Sequence, residues 1–271
     1  LLMTGVTSGE VIAEQSFKVP DGAYGLVTIG GFNVEIPETK IPEAVMLTLR
    51  MVQDGEEITK NSYELWRYPE NGAVIDKLVS GNVIEANGHK LYITCEKSEA
   101  GKLLEAGERV LFLPSEVKES ITGFYCTEFW CYPMFKQISE SMGKEVPVGT
   151  MGLLIQKEHE SLKEFPSREY STPQWYSIVM NSDCAILDDV TDKDYRPIVQ
   201  MIDNFERNHK LGILFEGTVG NGKLLVCTGR LSKIGEKAEV KQFVKSLLSY
   251  ATGDSFSPQM SLDFERLQKI F

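Results

Sequence analysis

The chain is poor in the residues that most enzymes build sites from. Its 271 residues hold five cysteines (Cys95, Cys126, Cys131, Cys184, Cys227) and three histidines (His89, His159, His209). The cysteines are too few and too scattered for a disulfide framework. No Cys-x-x-Cys pair or Cys/His cluster has zinc spacing, so no metal is expected and the thiols read as small buried hydrophobes. Positive charge is also scarce: 28 Lys and Arg face 39 Asp and Glu, a net charge of −11. That balance argues against nucleic acid or an anionic membrane as partner, because both are gripped by clustered cations. No apolar run is long enough to span a bilayer, so membrane insertion is not expected. The sequence begins LLMTGVTSGE, without an initiating Met or a basic leader, which reads as part of a longer polypeptide.

One nucleotide signature is nearly present, and the hydrolase elbow signatures are absent. In GTVGNGKLL, Gly217, Gly222 and Lys223 fall in phosphate-loop register, but Leu224 stands where a hydroxyl would ligate magnesium. The flanks LGILFE and KLLVCTG read as strands, and Asn221-Gly222 suits a tight hairpin, so no nucleotide or other cofactor is expected. Neither Gly-x-Ser-x-Gly nor Gly-x-Cys-x-Gly occurs, so the strained elbow that presents a nucleophile is missing.

What is present is a composition of 42% hydrophobic and 25% charged residues, which is globular. Residues 1–70 read as all-β. VIAEQSFKV alternates Val11, Ala13, Phe17 and Val19 against Glu14, Ser16 and Lys18, and VMLTLRM sets Val45, Leu47, Leu49 and Met51 against Thr48 and Arg50. NSYELWRYPE closes this region, and Pro69, Asn71 and Gly72 mark a boundary. From residue 73 to 271, strand-like KLYITCE, RVLFLP, VGTMGLLIQ and CAILDD interleave with helical patterns, which predicts a mainly parallel sheet covered by helices. The strongest helix signal places Val240, Phe243, Val244, Leu247, Leu248 and Ala251 on one stripe, and SLDFERLQKIF reads as an amphipathic tail that docks back.

Candidate binding residues come from the aromatics. FYCTEFWCYPMF carries Phe124, Tyr125, Phe129, Trp130, Tyr132 and Phe135 in neither helical nor strand order, which reads as a loop. Glu128 beside Phe129 and Trp130 is the one carboxylate whose apolar surroundings suggest an acid, although nothing marks the partner that glycoside hydrolysis needs. Trp130 and Tyr132 offer ring faces on which a sugar stacks. Gln174 and Trp175 in REYSTPQW supply the facing wall, with His159 on a neighbouring loop.

Several stretches carry a family resemblance: TEFWCYPMF, His159 to Pro166, Gln174-Trp175, the strand-turn-strand at Asn221-Gly222, and NSYELWRYPE. Together they resemble the C-terminal region of bacterial glycoside hydrolase family 2 proteins of the β-galactosidase-like, sugar-binding-domain type. The resemblance implies an immunoglobulin-like β-sandwich over 1–70, followed over 73–271 by a class I glutamine-amidotransferase-like, flavodoxin-like α/β domain. It implies catalytic glutamates in a (β/α)₈ barrel upstream of Leu1, so no catalytic residue is carried onto this chain. The expected role is a non-catalytic accessory region that contacts the barrel, in an exported, periplasmic or extracellular enzyme. The rival readings are a carbohydrate-binding module, and an independent hydrolase or amidotransferase using Glu128 or a cysteine with a histidine.

Overall fold

The computed structural model describes residues 1–22, 24–125, 137–138, 140–143, 149–204 and 207–271. It is a mixed, β-rich fold with two sheets and a few helices, and the chain divides into two compact units, Leu1–Glu70 and Asn71–Phe271.

The first unit holds a four-stranded antiparallel sheet in the order β2-β1-β3-β4, from β1 (Leu2–Gly5), β2 (Val11–Glu14), β3 (Glu43–Gln53) and β4 (Glu56–Arg67). Asp54 and Gly55, both at positive φ (53° and 85°), form the two-residue loop between the long strands, the backbone twist that tight hairpins favour. The alternation predicted for β3 is present, but burial fades along it: Val45 is buried, whereas Leu49 and Met51 are 40% and 45% exposed. No strand runs through the described part of residues 15–42, so the β2 pattern stops at Glu14 and the described residues of the first unit form one sheet. At the near end Glu43 is fully buried. It accepts from Thr7 N–H (3.1 Å), Ser8 N–H (2.9 Å), the Ser8 hydroxyl (3.1 Å) and Arg67 Nε (2.9 Å), while Arg67 also reaches Glu10. Burial alone would raise the Glu43 carboxyl, but these hydrogen bonds outweigh it and hold its pKa below the ordinary value.

The second unit is built on nine strands: β5 (Val83–Ala86), β6 (His89–Thr94), β7 (Arg109–Phe112), β8 (Ser120–Thr122), β9 (Gly152–Ile155), β10 (Asp183–Ile186), β11 (Val199–Ile202), β12 (Lys210–Val219) and β13 (Gly222–Cys227). Their path is β5-β6-β7-β13-β12-β10-β8, with β11 bridging β12 to β9. The expectation of a mainly parallel sheet is corrected. Among the described strands β6 with β7 and β7 with β13 run parallel, and the other pairs are antiparallel. The cause is local: Asn87-Gly88 and Gly220-Asn221 each turn the chain straight back into the neighbouring strand. Between β6 and β7 the chain takes the parallel route through helix α1 (Lys97–Glu105).

Helix α2 (Tyr176–Val179) is a single turn, and α3 (Ala238–Ala251) buries the predicted stripe. The tail folds as α4 (Phe264–Leu267) and a 3-10 turn (Gln268–Ile270). It places Phe264, Leu267, Ile270 and Phe271 in the core with Val110, Phe112, Phe215 and Val226, Phe271 meeting Phe112 edge-on at 5.0 Å. Among the described residues no helix is long and apolar enough to cross a membrane.

Candidate functional site

The glycine-rich turn is explained by packing. Val219 pairs with Gly222, so the turn residues are Gly220 and Asn221 rather than Asn221 and Gly222. Gly220 is at φ 55° and Asn221 is not at positive φ, the pattern of a II′ loop with glycine first. A Cβ on Gly222 would lie 2.6 Å from the Leu104 carbonyl oxygen, and one on Gly217 would lie 2.4 Å from Leu262 Cγ. Lys223 donates to the Phe256 carbonyl at 2.7 Å, and Leu224 is fully buried. Gly217, Gly222, Lys223 and Leu224, the residues in phosphate-loop register, thus each have a structural role.

The thiols that the structure describes are poor nucleophiles. Cys184 and Cys227 are buried, and burial pushes each thiol up to about 12; Cys95 is raised in the same way. Cys126 and Cys131 lie outside the described residues, as do Glu128, Trp130 and Tyr132, the proposed acid and its neighbouring rings.

His159 is the predicted residue with a rich polar setting. Segment 159–164 is gripped by the buried polar edge of α3, where Gln242, Ser246 and Tyr250 recur at i, i+4 and i+8. Gln242 donates to the Glu164 carbonyl, and the Ser246 hydroxyl donates to the Ser161 carbonyl at 2.7 Å. The Tyr250 hydroxyl donates to Glu216 Oε2 at 2.7 Å, and its ring meets His159 edge-on at 5.3 Å. Burial first, and then the Glu216 carboxylate, raise the Tyr250 pKa, so the phenol stays a donor. His159 caps the 3-10 turn Glu160–Leu162: its Nδ1 accepts from Ser161 N–H at 3.3 Å and lies 2.9 Å from the Ser161 hydroxyl, while Nε2 faces Glu216 Oε1 at 3.4 Å. With Nδ1 accepting, the neutral ring carries its proton on Nε2, toward the carboxylate. Serine, histidine and glutamate side by side suggest a triad. Ser161, however, is fully buried and the His159 nitrogen facing it is the one that caps the turn, so the serine is closed off from a substrate. Two shallow depressions of about 370 and 400 Å³ flank His159, both edged by Lys157 and Glu158.

The proposed facing wall is not where the sequence reading placed it. Trp175 is fully buried, packed edge-on against Phe165 (5.2 Å) and Phe243 (5.3 Å), and Gln174 is buried with its Nε2 donating to the Pro166 carbonyl at 2.8 Å. The neighbouring Tyr176 points outward, 56% exposed, its ring stacked on Tyr125 at 5.9 Å and 9°. Sequence reasoning missed it because Pro173 starts a 3-10 turn that runs into α2 and directs Trp175 to the core and Tyr176 to solvent.

Residues 91–271 match a family model described as Domain of unknown function (DUF8487). The chain belongs to that family. The matched part begins in β6 and contains β7 to β13, helices α1 to α4, and both the His159 and Tyr176 sites. No curated protein matches the chain. In this DUF8487 member no group of three or more His, Cys, Asp or Glu side chains among the described residues has the arrangement to hold a metal ion.

Proposed function

We propose that the chain is a non-catalytic accessory region of a family 2 glycoside hydrolase, in which the DUF8487 part buttresses the catalytic barrel or extends its cleft. The observation that carries the reading is the fate of the residues behind the resemblance. Trp175, Gln174, the segment from His159 to Pro166 and the glycine hairpin are used in packing and closed hydrogen bonds, and the described thiols are raised away from reactivity. A domain that keeps its scaffold and lacks a nucleophile elbow fits a support role.

In this reading the first unit is the half of an immunoglobulin-like sandwich that adjoins the barrel. The second is a glutamine-amidotransferase-like, flavodoxin-like domain with antiparallel additions to its parallel strands. The parent enzyme is exported to the periplasm or beyond and acts on a polysaccharide or oligosaccharide. A carbohydrate-binding role is favoured as a second reading by the outward Tyr176 ring.

The test is turnover of nitrophenyl glycosides by the purified chain. None is expected. Hydrolysis that disappears in Glu128→Gln would overturn the accessory reading and make the chain an enzyme in its own right.

A further inference from the structure

β4 is the outermost strand of the first sheet, and among the described residues no strand pairs with its other side. A long outer strand is a template for another chain, and proteins guard such edges with charge. In the middle of β4 the charges are Lys60 and Glu64, two residues to either side of Ser62.

Ser62 shows which backbone groups face outward. It lies opposite Thr48 with the two hydroxyls 3.1 Å apart, yet its N–H donates to Oδ1 of the adjacent Asn61 at 2.9 Å, so that N–H is turned away from β3. The Asn61 amide, which also donates to the Tyr63 hydroxyl at 2.8 Å, occupies the place a pairing carbonyl would fill. Because an antiparallel ladder alternates, Lys60 and Glu64 present their N–H and C=O groups on the same outer side as Ser62. The alternation holds as far as Thr59, beyond which Ile58 is an extra residue in the register with β3.

A second copy of β4 laid antiparallel, Ser62 opposite Ser62, matches these groups. The two serines exchange both backbone hydrogen bonds at the axis, and each Lys60 does so with the partner's Glu64. Opposite charges then stand directly across the pairing twice, and one patch serves both copies, as two-fold symmetry requires. The neighbouring registers lose the match: centred on Asn61, Lys60 meets a serine, and centred on Tyr63, Glu64 does. Tyr63 and Leu65, 50% and 41% exposed on the face that carries Val45, come to lie opposite the partner's Asn61 and Thr59.

We propose that the edge of β4 is a homodimer interface, in which two copies pair antiparallel about Ser62 over residues 59–65 and join their sheets. The charges that turn other strands away select this one. The overlap is short and each copy carries a net charge of −11, so the dimer is of the weak, concentration-dependent class. It requires nothing of the accessory role.

Sedimentation velocity of the whole chain over a concentration series tests the pairing. Wild type should pass reversibly from monomer to dimer as concentration rises. Lys60→Glu sets like charges opposite each other at both pairs, as does Glu64→Lys, and each should weaken the dimer about tenfold. An equimolar mixture of these two variants should recover it, because every cross-strand pair in the mixed dimer is again of opposite sign. Ser62→Pro removes the outward N–H at the axis without touching a bond to β3, and should also dissociate the dimer. Circular dichroism confirms folding, and if Ser62→Pro is unfolded the charge variants decide alone. A wild type that stays monomeric at every concentration overturns the proposal. So does a dimer that Lys60→Glu or a folded Ser62→Pro leaves unchanged, since the contact would then lie elsewhere on the chain. Weakening by each charge variant without recovery in the mixture overturns it as well, because the register would be wrong.

Discussion

Gly222→Ala is the most exposing substitution for the claim that the phosphate-loop lookalike is a packing device. Gly222 has no positive φ, so alanine fits its backbone conformation, and fewer unfolded conformers would by themselves stabilise the variant by roughly 0.4–1 kcal/mol. Against that, the new methyl carbon would sit 2.6 Å from the Leu104 carbonyl oxygen and 2.7 Å from Leu104 Cα. Both are backbone atoms of α1, so no side chain can swing away. Relief requires the hairpin and α1 to part, which loosens the fully buried Leu104 and Ala100. Overpacking of this kind costs about 1–3 kcal/mol, leaving a net loss of roughly 1–2 kcal/mol. For a unit spanning Asn71–Phe271 that lowers Tm by about 2–8 °C. Urea and thermal unfolding followed by tryptophan fluorescence measure it, with Trp175 as the buried reporter. Adding Leu104→Ala should not restore stability, because the nearest contacts are to the helix backbone; rescue by that change would refute the reasoning, as would an unchanged midpoint in Gly222→Ala. Mg-ATP should leave the melting of wild type and Lys223→Ala unaltered, and a nucleotide-dependent rise lost in Lys223→Ala would show the loop to be what its sequence imitates.

Two further outcomes follow from burial. Trp175→Ala should cost about 3–5 kcal/mol in urea unfolding, as for a core tryptophan, while its neighbour Tyr176→Ala costs under about 1 kcal/mol; similar losses from both would contradict the opposite facing of the two rings. In the first unit the Glu43 pKa is depressed on folding, so the carboxylate's contribution is present above the unfolded value near ~4.3 and is lost as pH falls through and below it. Hydrogen exchange in β1–β4 should accordingly accelerate, after correction for intrinsic rates, between pH ~5 and ~3. Glu43→Ala should remove that dependence and destabilise the unit by about 3–5 kcal/mol, because the buried Arg67 loses its buried partner and keeps only the half-exposed Glu10. A pH response unchanged in the variant would assign acid sensitivity elsewhere.

The sequence was most legible where a local pattern decides the structure. The apolar stripe from Val240 to Ala251 marks α3, and the glycine-rich stretch marks the hairpin although its turn residues are Gly220-Asn221 and not Asn221-Gly222, because helix period and turn chemistry depend on neighbours in the chain. Strand direction away from the hairpins was not legible: VGTMGLLIQ and CAILDD look the same whether their partners run parallel or antiparallel, and both lie in antiparallel pairs. The polar edge of α3 was also hidden. Gln242, Ser246 and Tyr250 read as a solvent face until segment 159–164 supplies the carbonyls they bind and Glu216 the carboxylate. Leu49 and Met51 alternate correctly yet stay exposed, because alternation shows which residues share a face and says nothing of what covers it. For the candidate site, REYSTPQW reads as an aromatic wall, but Trp175 turns into the core and Tyr176 faces outward, since one residue of rotation in a 3-10 turn exchanges inside for outside. His159, expected on a loop beside the aromatic wall, lies in a polar cluster, with Nδ1 accepting from Ser161 N–H and Nε2 3.4 Å from Glu216.

The accessory reading is tested most directly by the coding sequence upstream of Leu1. A (β/α)₈ barrel should be encoded there in frame, with two glutamates at the carboxyl ends of its strands and close enough together to flank a glycosidic bond. An unrelated upstream domain, or a barrel without the paired carboxylates, would contradict the account.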